Sequence, residues 1–190
     1  MEAFLVSTLV VAVGEIGDKT QLLALLLAAR FRKPVPIILG ILVATLANHT
    51  VAGLLGAWVS ANLAPETLRW GLGLSFLAIA AWALKPDKID EAPSNLGRYG
   101  VFLVTFVAFF LAEIGDKTQL ATVALAAKYQ MLPAVVAGTT LGMMIADVPA
   151  VFIAQAASPK IPFKAVRYIA AALFAALGIA ALAGFGLGLG

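Results

Sequence analysis

Long apolar runs dominate the chain, and short polar links that contain prolines separate them. A helix needs about 20 apolar residues to cross the hydrocarbon core of a bilayer, and prolines mark where such helices start or stop. The pattern therefore predicts an all-α integral membrane protein with six transmembrane helices. The predicted spans are residues 4–29, 35–61, 66–84, 100–127, 133–157 and 163–188.

The composition agrees with this class. Of 190 residues, 62% are hydrophobic and 12% are charged, whereas soluble domains are about half apolar and about a quarter charged. The absence of cysteine excludes disulfides and thiolate metal sites. The basic residues stand at span ends and form no stripe, so nucleic-acid binding has no support.

Lysine and arginine are distributed unequally between the two predicted sides of the membrane. One side collects nine of them and the other collects two, Arg69 and Lys128. The positive-inside rule then predicts a cytoplasmic location for the richer side and extracytoplasmic termini for a multi-pass protein. The nine are Arg30, Arg32, Lys33, Lys85, Lys88, Arg98, Lys160, Lys164 and Arg167.

The seven letters "EIGDKTQ" occur twice, beginning at Glu15 and at Glu113, which is an offset of 98 residues (113 − 15). The same offset relates Arg69 to Arg167 and many apolar positions between the two copies. These matches indicate an internal repeat that extends well beyond the motif.

Each half of the chain contains three predicted spans. An odd number makes the second half enter the membrane from the opposite side, so the repeats are expected to be inverted. Inverted repeats are typical of secondary transporters, whose sites lie near the midplane where the repeats meet. We expect one repeat in residues 1–84, a cytoplasmic linker in 85–99 and the inverted repeat in 100–190.

Each copy of the motif places two acids and a lysine near the middle of a predicted span. A charge at the bilayer centre costs on the order of 3 kcal/mol, so these groups are expected to face the protein interior or a wet cavity. The two acids are three residues apart and should share a helix face. Each lysine follows its glutamate by four residues, which favours ion pairs within one helix, Lys19 with Glu15 and Lys117 with Glu113.

These residues predict a shared midplane site for a cation and for protons. The predicted metal ligands are the four carboxylates Glu15, Asp18, Glu113 and Asp116, and the two glutamines Gln21 and Gln119 are expected to join them in binding the cation or protons. The expected supporting residues are Lys19, Thr20, Lys117, Thr118, Asn48 and Asp147. Gly17 and Gly115 are expected either to allow close helix packing or to break the helix and free carbonyl groups.

His49 stands at the repeat offset from Asp147 (147 − 98). We expect it to be a packing residue or a proton carrier rather than a metal ligand.

The predicted ligands are oxygen atoms, which favour Mg²⁺, Ca²⁺ or Mn²⁺ over soft metals. Burial and neighbouring like charges favour uptake of protons by an empty site, so cation–proton exchange is the expected cycle. The cation is then substrate, and no cofactor is expected.

Two copies of E-x-G-D-[KR]-[ST] in a six-span chain of this length resemble the GDT family of membrane cation transporters, over essentially the whole chain. The resemblance implies transport of Mn²⁺ or Ca²⁺ against protons, and functional roles for residues 15 and 17–20 and for residues 113 and 115–118. It further implies a bacterial member, in the inner (cell) membrane, that exports manganese.

Two other functions fit the same pattern, namely export of another small cationic solute and a membrane scaffold that transports nothing. An enzyme is not expected, since the sequence contains no nucleophile triad and no phosphate-binding loop. The choice between Mn²⁺ and Ca²⁺ and the oligomeric state stay open at this point.

Overall fold

The computed structural model describes residues 1–85, 100–153 and 163–184. Within these ranges the chain forms eight α-helices and no strand, so the predicted all-α class is confirmed. Most of the predicted linker, residues 86–99, lies outside the described residues. The helices are α1 (Glu2–Glu15), α2 (Lys19–Phe31), α3 (Pro34–Asn62), α4 (Pro65–Ala83), α5 (Val101–Glu113), α6 (Lys117–Tyr129), α7 (Leu132–Ile153) and α8 (Phe163–Leu182).

Each predicted span that carries the motif consists of two helices with a break between them. α1 ends at Glu15 and α2 begins at Lys19, and α5 and α6 are separated in the same way. The glycine in each break has a positive φ, 82° at Gly17 and 73° at Gly115. This left-handed conformation interrupts a right-handed helix and is accessible to glycine at little cost. A Cβ added to Gly115 would meet nothing within 4 Å, so the break, and not close packing, accounts for this glycine.

The second half of the chain repeats the helices of the first. The first helix of each half packs against a helix of the other half. α1 packs against α7, and its counterpart α5 packs against α3, the counterpart of α7. A glycine stands at each crossing. A Cβ on Gly138 would lie 2.5 Å from the carbonyl oxygen of Phe4, and a Cβ on Gly40 would lie 2.9 Å from that of Phe102. These residues are related by the same 98-residue offset, so the repeat extends to single backbone contacts.

Two apolar cores stabilise this arrangement. One joins α1, α4, α6, α7 and α8 and contains Phe76 and Phe174, which are fully buried and again 98 residues apart (174 − 76). The other joins α2, α3, α5 and α7 and contains the fully buried Phe109. α4 packs along α8. The helices on both sides of each break belong to these cores, α1 and α6 to the first and α2 and α5 to the second, so the breaks lie among packed helices.

The distribution of polar and apolar side chains differs from that in a soluble protein. Many large apolar side chains are exposed on the outer helix faces, whereas acids and threonines are buried inside. Within the described ranges, α3 and α7 are the helices that are long and apolar enough to cross a membrane by length and composition. The count of six spans stays a prediction. Exposed examples are Leu5, Leu54, Leu74, Ile145 and Ile179.

Candidate functional site

The breaks of the two halves bring three carboxylates together in the protein interior. Glu15 is the last residue of α1, and Asp18 and Asp116 immediately precede α2 and α6. One oxygen of each carboxylate lies within 4.8 Å of the others, and each residue is at most 1% exposed. The two copies of the motif therefore supply one cluster, named here the carboxylate cluster, and three of the four predicted ligands belong to it.

A tight turn at each glycine produces this geometry. The carbonyl oxygen of Glu15 accepts a hydrogen bond from the backbone N–H of Asp18 at 3.0 Å, and Glu113 and Asp116 are joined in the same way at 3.1 Å. The prediction that the two acids of a motif share a helix face is wrong, because the helix ends between them. The turn, rather than helical periodicity, sets the backbone spacing between the two acids of each motif.

The lysines form ion pairs between the two halves. Lys117 Nζ lies 2.7 Å from Asp18 Oδ1, and Lys19 Nζ lies 3.8 Å from Asp116 Oδ1. These two ion pairs join each lysine to an aspartate of the other half, whereas the sequence predicts pairing with the glutamate of its own motif. The physical reason is the helix break. The glutamate and the lysine of one motif no longer lie one turn apart on a continuous helix, and each lysine faces the opposite half.

The two ion pairs differ in their exposure to solvent. The side chain of Lys117 is 4% exposed, and that of Lys19 is 28% exposed. The Lys117–Asp18 pair is thus sealed inside the protein, and the longer Lys19–Asp116 pair is partly open. The two ion pairs therefore differ in burial, although the two motifs are identical over seven residues.

Gln21 and Gln119 hydrogen bond to the backbone of the breaks. Gln21 Oε1 accepts from the N–H of Gly17 at 2.8 Å, and Gln119 Oε1 accepts from the N–H of Gly115 at 2.7 Å. The amide nitrogen of Gln21 also donates to the carbonyl oxygen of Ala146 at 3.0 Å. These contacts satisfy N–H groups that have no partner in the helix. Direct binding of a cation by the glutamines stays a prediction.

Glu113, the fourth predicted ligand, lies outside the carboxylate cluster. Its Oε1 accepts from Thr45 Oγ1 at 2.9 Å, and its Oε2 accepts from Asn48 Nδ2 at 3.3 Å. Asn48 also donates to the carbonyl oxygen of Phe110 at 3.1 Å. Two side chains of α3 bind the carboxylate of Glu113, so the structure brings three of the four predicted ligands together and leaves Glu113 apart. Its role as a metal ligand stays a prediction.

Thr45 is a site residue that the sequence analysis missed. It lies three residues before Asn48, so the two share a face of α3, and it is fully buried. The signal that could have found it is this pair of polar residues one turn apart in an apolar helix. A single threonine in such a helix is ambiguous, since its hydroxyl can also bond to the preceding turn.

The two motif threonines occupy different environments. The hydroxyl of Thr20 donates to Glu15 Oε2. The equivalent hydroxyl of Thr118 is fully buried and has no hydrogen-bond partner among the described residues. This difference follows from the contact of Glu113 with α3, which draws its carboxylate to Thr45 and Asn48.

Asp147 and His49 are both fully buried, on α7 and α3. Neither carboxylate oxygen of Asp147 and neither ring nitrogen of His49 has a hydrogen-bond partner among the described residues. Asp147 is near enough to Asp18 and Glu113 for their charges to interact. When ionised, it adds negative potential beside the carboxylate cluster.

The chemistry of the carboxylate cluster suits a hard divalent cation. Glu15 Oε1 is buried in the cluster and has no hydrogen-bond partner within the described part of the chain. Such an oxygen is costly to bury unless a cation or a proton satisfies it. Carboxylate oxygens are preferred ligands of Ca²⁺, Mg²⁺ and Mn²⁺.

The chain is similar to known proteins over most of its length. The model of the family described as "Divalent cation/proton antiporter GDT1" matches residues 3–91 and 101–185. A Vibrio cholerae protein named "Putative manganese exporter" is 50% identical over 95% of this chain and 90% of that protein. A Synechocystis protein named as GDT1-like is 29% identical over 92% of this chain and 93% of its own length. A rice protein named "GDT1-like protein 3" is 30% identical over 91% of this chain and 71% of its own length. No solved structure matches the chain.

Proposed function

The chain belongs to the GDT1 family of divalent cation/proton antiporters, and we propose that it exports Mn²⁺ across a bacterial cell membrane in exchange for protons. The resemblance drawn from the two motifs is thereby confirmed, and the family is one of transporters rather than enzymes. The choice of manganese and of export rests on the name of the Vibrio cholerae relative. Ca²⁺ is a second candidate cation, because its oxygen ligands are the same.

The observation that carries the proposal is the carboxylate cluster, with one oxygen each of Glu15, Asp18 and Asp116 within 4.8 Å. Burying three like charges is unfavourable unless positive charge compensates them. Lys117 and Lys19 supply that charge when the substrate is absent. The cluster and the two lysines carry a formal charge of −1 (−3 + 2), which leaves it attractive to a divalent cation.

Exchange follows from competition for the same oxygens. A divalent cation in the cluster brings the formal charge from −1 to +1, which favours withdrawal of a lysine and loss of any proton held by the acids. When the cation leaves, protons restore the balance on the carboxylates. Lys19 is the lysine better suited to withdraw, since its pair is longer and partly exposed.

The proposed architecture is six spans arranged as two inverted repeats, with α1–α2 and α5–α6 each forming one broken span. Broken helices that meet near the midplane are a recurrent way to build substrate sites in secondary transporters. Exposed apolar side chains on the outer faces support contact with lipid. In this arrangement both termini are extracytoplasmic and residues 85–99 are cytoplasmic.

Flux of Mn²⁺ into proteoliposomes, with and without an opposing pH gradient, tests the function. The proposal predicts that the gradient accelerates uptake and that Asp18→Asn with Asp116→Asn abolishes it. Glu66→Gln is the matched control, because the same carboxyl-to-amide change falls on an 80% exposed side chain.

Three outcomes would contradict the proposal. Flux that ignores the pH gradient would remove proton exchange. Normal flux in the double aspartate variant would indicate that the cluster is a scaffold element. Transport of an organic cation that Mn²⁺ does not inhibit would favour the alternative solute exporter.

An apolar cavity of about 330 Å³ lies between α3, α4 and α6, but its lining includes none of the clustered acids.

A further inference from the structure

The two motif glutamates stand in unequal positions although their local backbones are alike. The residue after each glutamate has nearly the same conformation, with φ −62° and ψ 117° at Ile16 and φ −61° and ψ 119° at Ile114. The glycines that follow both have positive φ. Glu15 nevertheless belongs to the carboxylate cluster and Glu113 does not. The cause therefore lies outside the motif.

The difference comes from the helices that face the two glutamates. On α3, Thr45 and Asn48 donate hydrogen bonds to Glu113 at 2.9 and 3.3 Å. The positions 98 residues later on α7 are Met143 and Ala146, whose side chains have no O–H or N–H to donate. Glu15 thus has no such donors at the equivalent positions, and its side chain bonds to Thr20 of its own motif instead.

The structure contains a second hydrogen-bond donor that could bind the carboxylate of Glu113. The hydroxyl of Thr118, equivalent to the partner of Glu15, is buried without a hydrogen-bond partner among the described residues. A carboxylate that left Thr45 and Asn48 could accept from Thr118, as Glu15 accepts from Thr20. By the pseudo-symmetry of the two breaks, it would then stand beside Asp116 in the cluster.

On the basis of the proposed function, we infer that Thr45 and Asn48 are positioning residues that hold Glu113 out of the cation site. The cation site of this state consists of Glu15, Asp18 and Asp116. Glu113 is a fourth carboxylate that does not contribute to the site in this state. Withholding one carboxylate limits the affinity for the cation, which a transporter needs in order to release its substrate. The two motifs therefore have different roles despite their identical sequences.

Binding of Mn²⁺ to the full chain in nanodiscs, followed by electron paramagnetic resonance of the free ion, tests this inference without requiring transport. Thr45→Val with Asn48→Ala should bind Mn²⁺ about tenfold more tightly, which corresponds to one added contact with a charged ligand. In the parent protein, Glu15→Gln should weaken binding far more than Glu113→Gln. In the Thr45→Val, Asn48→Ala background, the two glutamate substitutions should weaken binding to a similar extent.

The chain supplies a matched control. Thr50→Val with Asn62→Ala makes the same two changes on the same helix, at side chains whose hydrogen bonds within the described ranges go to the α3 carbonyl groups of Leu46 and Trp58. This variant should leave the affinity unchanged. If the double variant at Thr45 and Asn48 folds poorly, Asn48→Ala with Thr45→Ser keeps a hydroxyl at position 45 and should give a smaller gain in affinity.

Two results would overturn the inference. The first is an unchanged or weaker Mn²⁺ affinity in the folded double variant. The second is an equal loss of affinity for Glu15→Gln and Glu113→Gln in the parent protein. Failure of the proposed function would give a different result. Mn²⁺ would still bind in nanodiscs, but its flux into proteoliposomes would not depend on the pH gradient. A parent protein that bound no Mn²⁺ in nanodiscs would overturn both.

Discussion

Lys117 and Asp18 lie on opposite halves of the chain, 99 residues apart, and the lysine donates a 2.7 Å hydrogen bond to the carboxylate inside the protein. Each half thus supplies the counter-ion for the other half. Under the proposed function, a cation that enters the carboxylate cluster would compete with this contact, and one pair of residues would link substrate binding to the contact between the repeats.

The sealed lysine should matter more for stability than the partly exposed one. Lys117→Met removes a charge that is 4% exposed, and breaking a buried pair from one side costs about 3–5 kcal/mol. Lys19→Met removes a longer, partly exposed pair, whose loss should cost at most about 1 kcal/mol. Melting temperatures in detergent, with the exposed Lys33→Met as control, measure the difference. Equal destabilisation by the two changes would contradict the asymmetry of the ion pairs.

Alanine at three glycines should separate backbone conformation from packing. Gly115→Ala meets no neighbouring atom but must adopt φ 73°, which should cost about 1–2 kcal/mol. Gly138→Ala would place a Cβ 2.5 Å from the carbonyl oxygen of Phe4 and should cost about 1–3 kcal/mol by forcing α1 from α7.

Gly71→Ala is the control for these substitutions. It lies inside α4 with nothing within 4 Å, so it should be neutral or stabilise the protein by up to about 1 kcal/mol. Chemical unfolding in micelles gives all three values. A neutral Gly115→Ala would argue against the left-handed turn that joins α5 to α6.

Mn²⁺ affinity should fall as the pH falls. A proton on Glu15, Asp18 or Asp116 neutralises a proposed ligand of the cation, so protonation and cation binding should oppose each other. Each proton displaced by the metal changes the dissociation constant by up to about tenfold per pH unit. Titrations in nanodiscs between acidic and neutral pH measure this slope, with Glu66→Gln as the control that should preserve it. A dissociation constant independent of pH would contradict proton–cation competition.

The proposed orientation can be tested with single cysteines, because the natural chain contains none. Lys33 and Ala64 are exposed at opposite predicted ends of α3. In intact cells, a membrane-impermeant maleimide should label Ala64→Cys, and it should label Lys33→Cys only after the membrane is opened. The reverse pattern would invert the proposed topology, and labelling of both in intact cells would contradict α3 as a span.

Particular features of the site were predictable to different degrees. Burial of the acids followed from the high cost of charges in an apolar run, and Gly17 already suggested a break as one of two roles. The partners of Lys19 and Lys117 were not predictable, because spacing of four residues indicates a pair only along a continuous helix. The departure of Glu113 from the cluster depends on Thr45, which looks ordinary in the sequence.

The sequence by itself determined the membrane class, the repeat and the family, because hydropathy, a 98-residue offset and a specific motif are properties of residue order. Tertiary structure alone decided which acids meet, which lysine faces which aspartate and which glutamate stands apart. The physical reason is that identical motifs meet different neighbours. α3 offers Thr45 and Asn48 as hydrogen-bond donors, while the equivalent positions of α7 offer Met143 and Ala146, and this contrast turns a symmetric sequence into an asymmetric site.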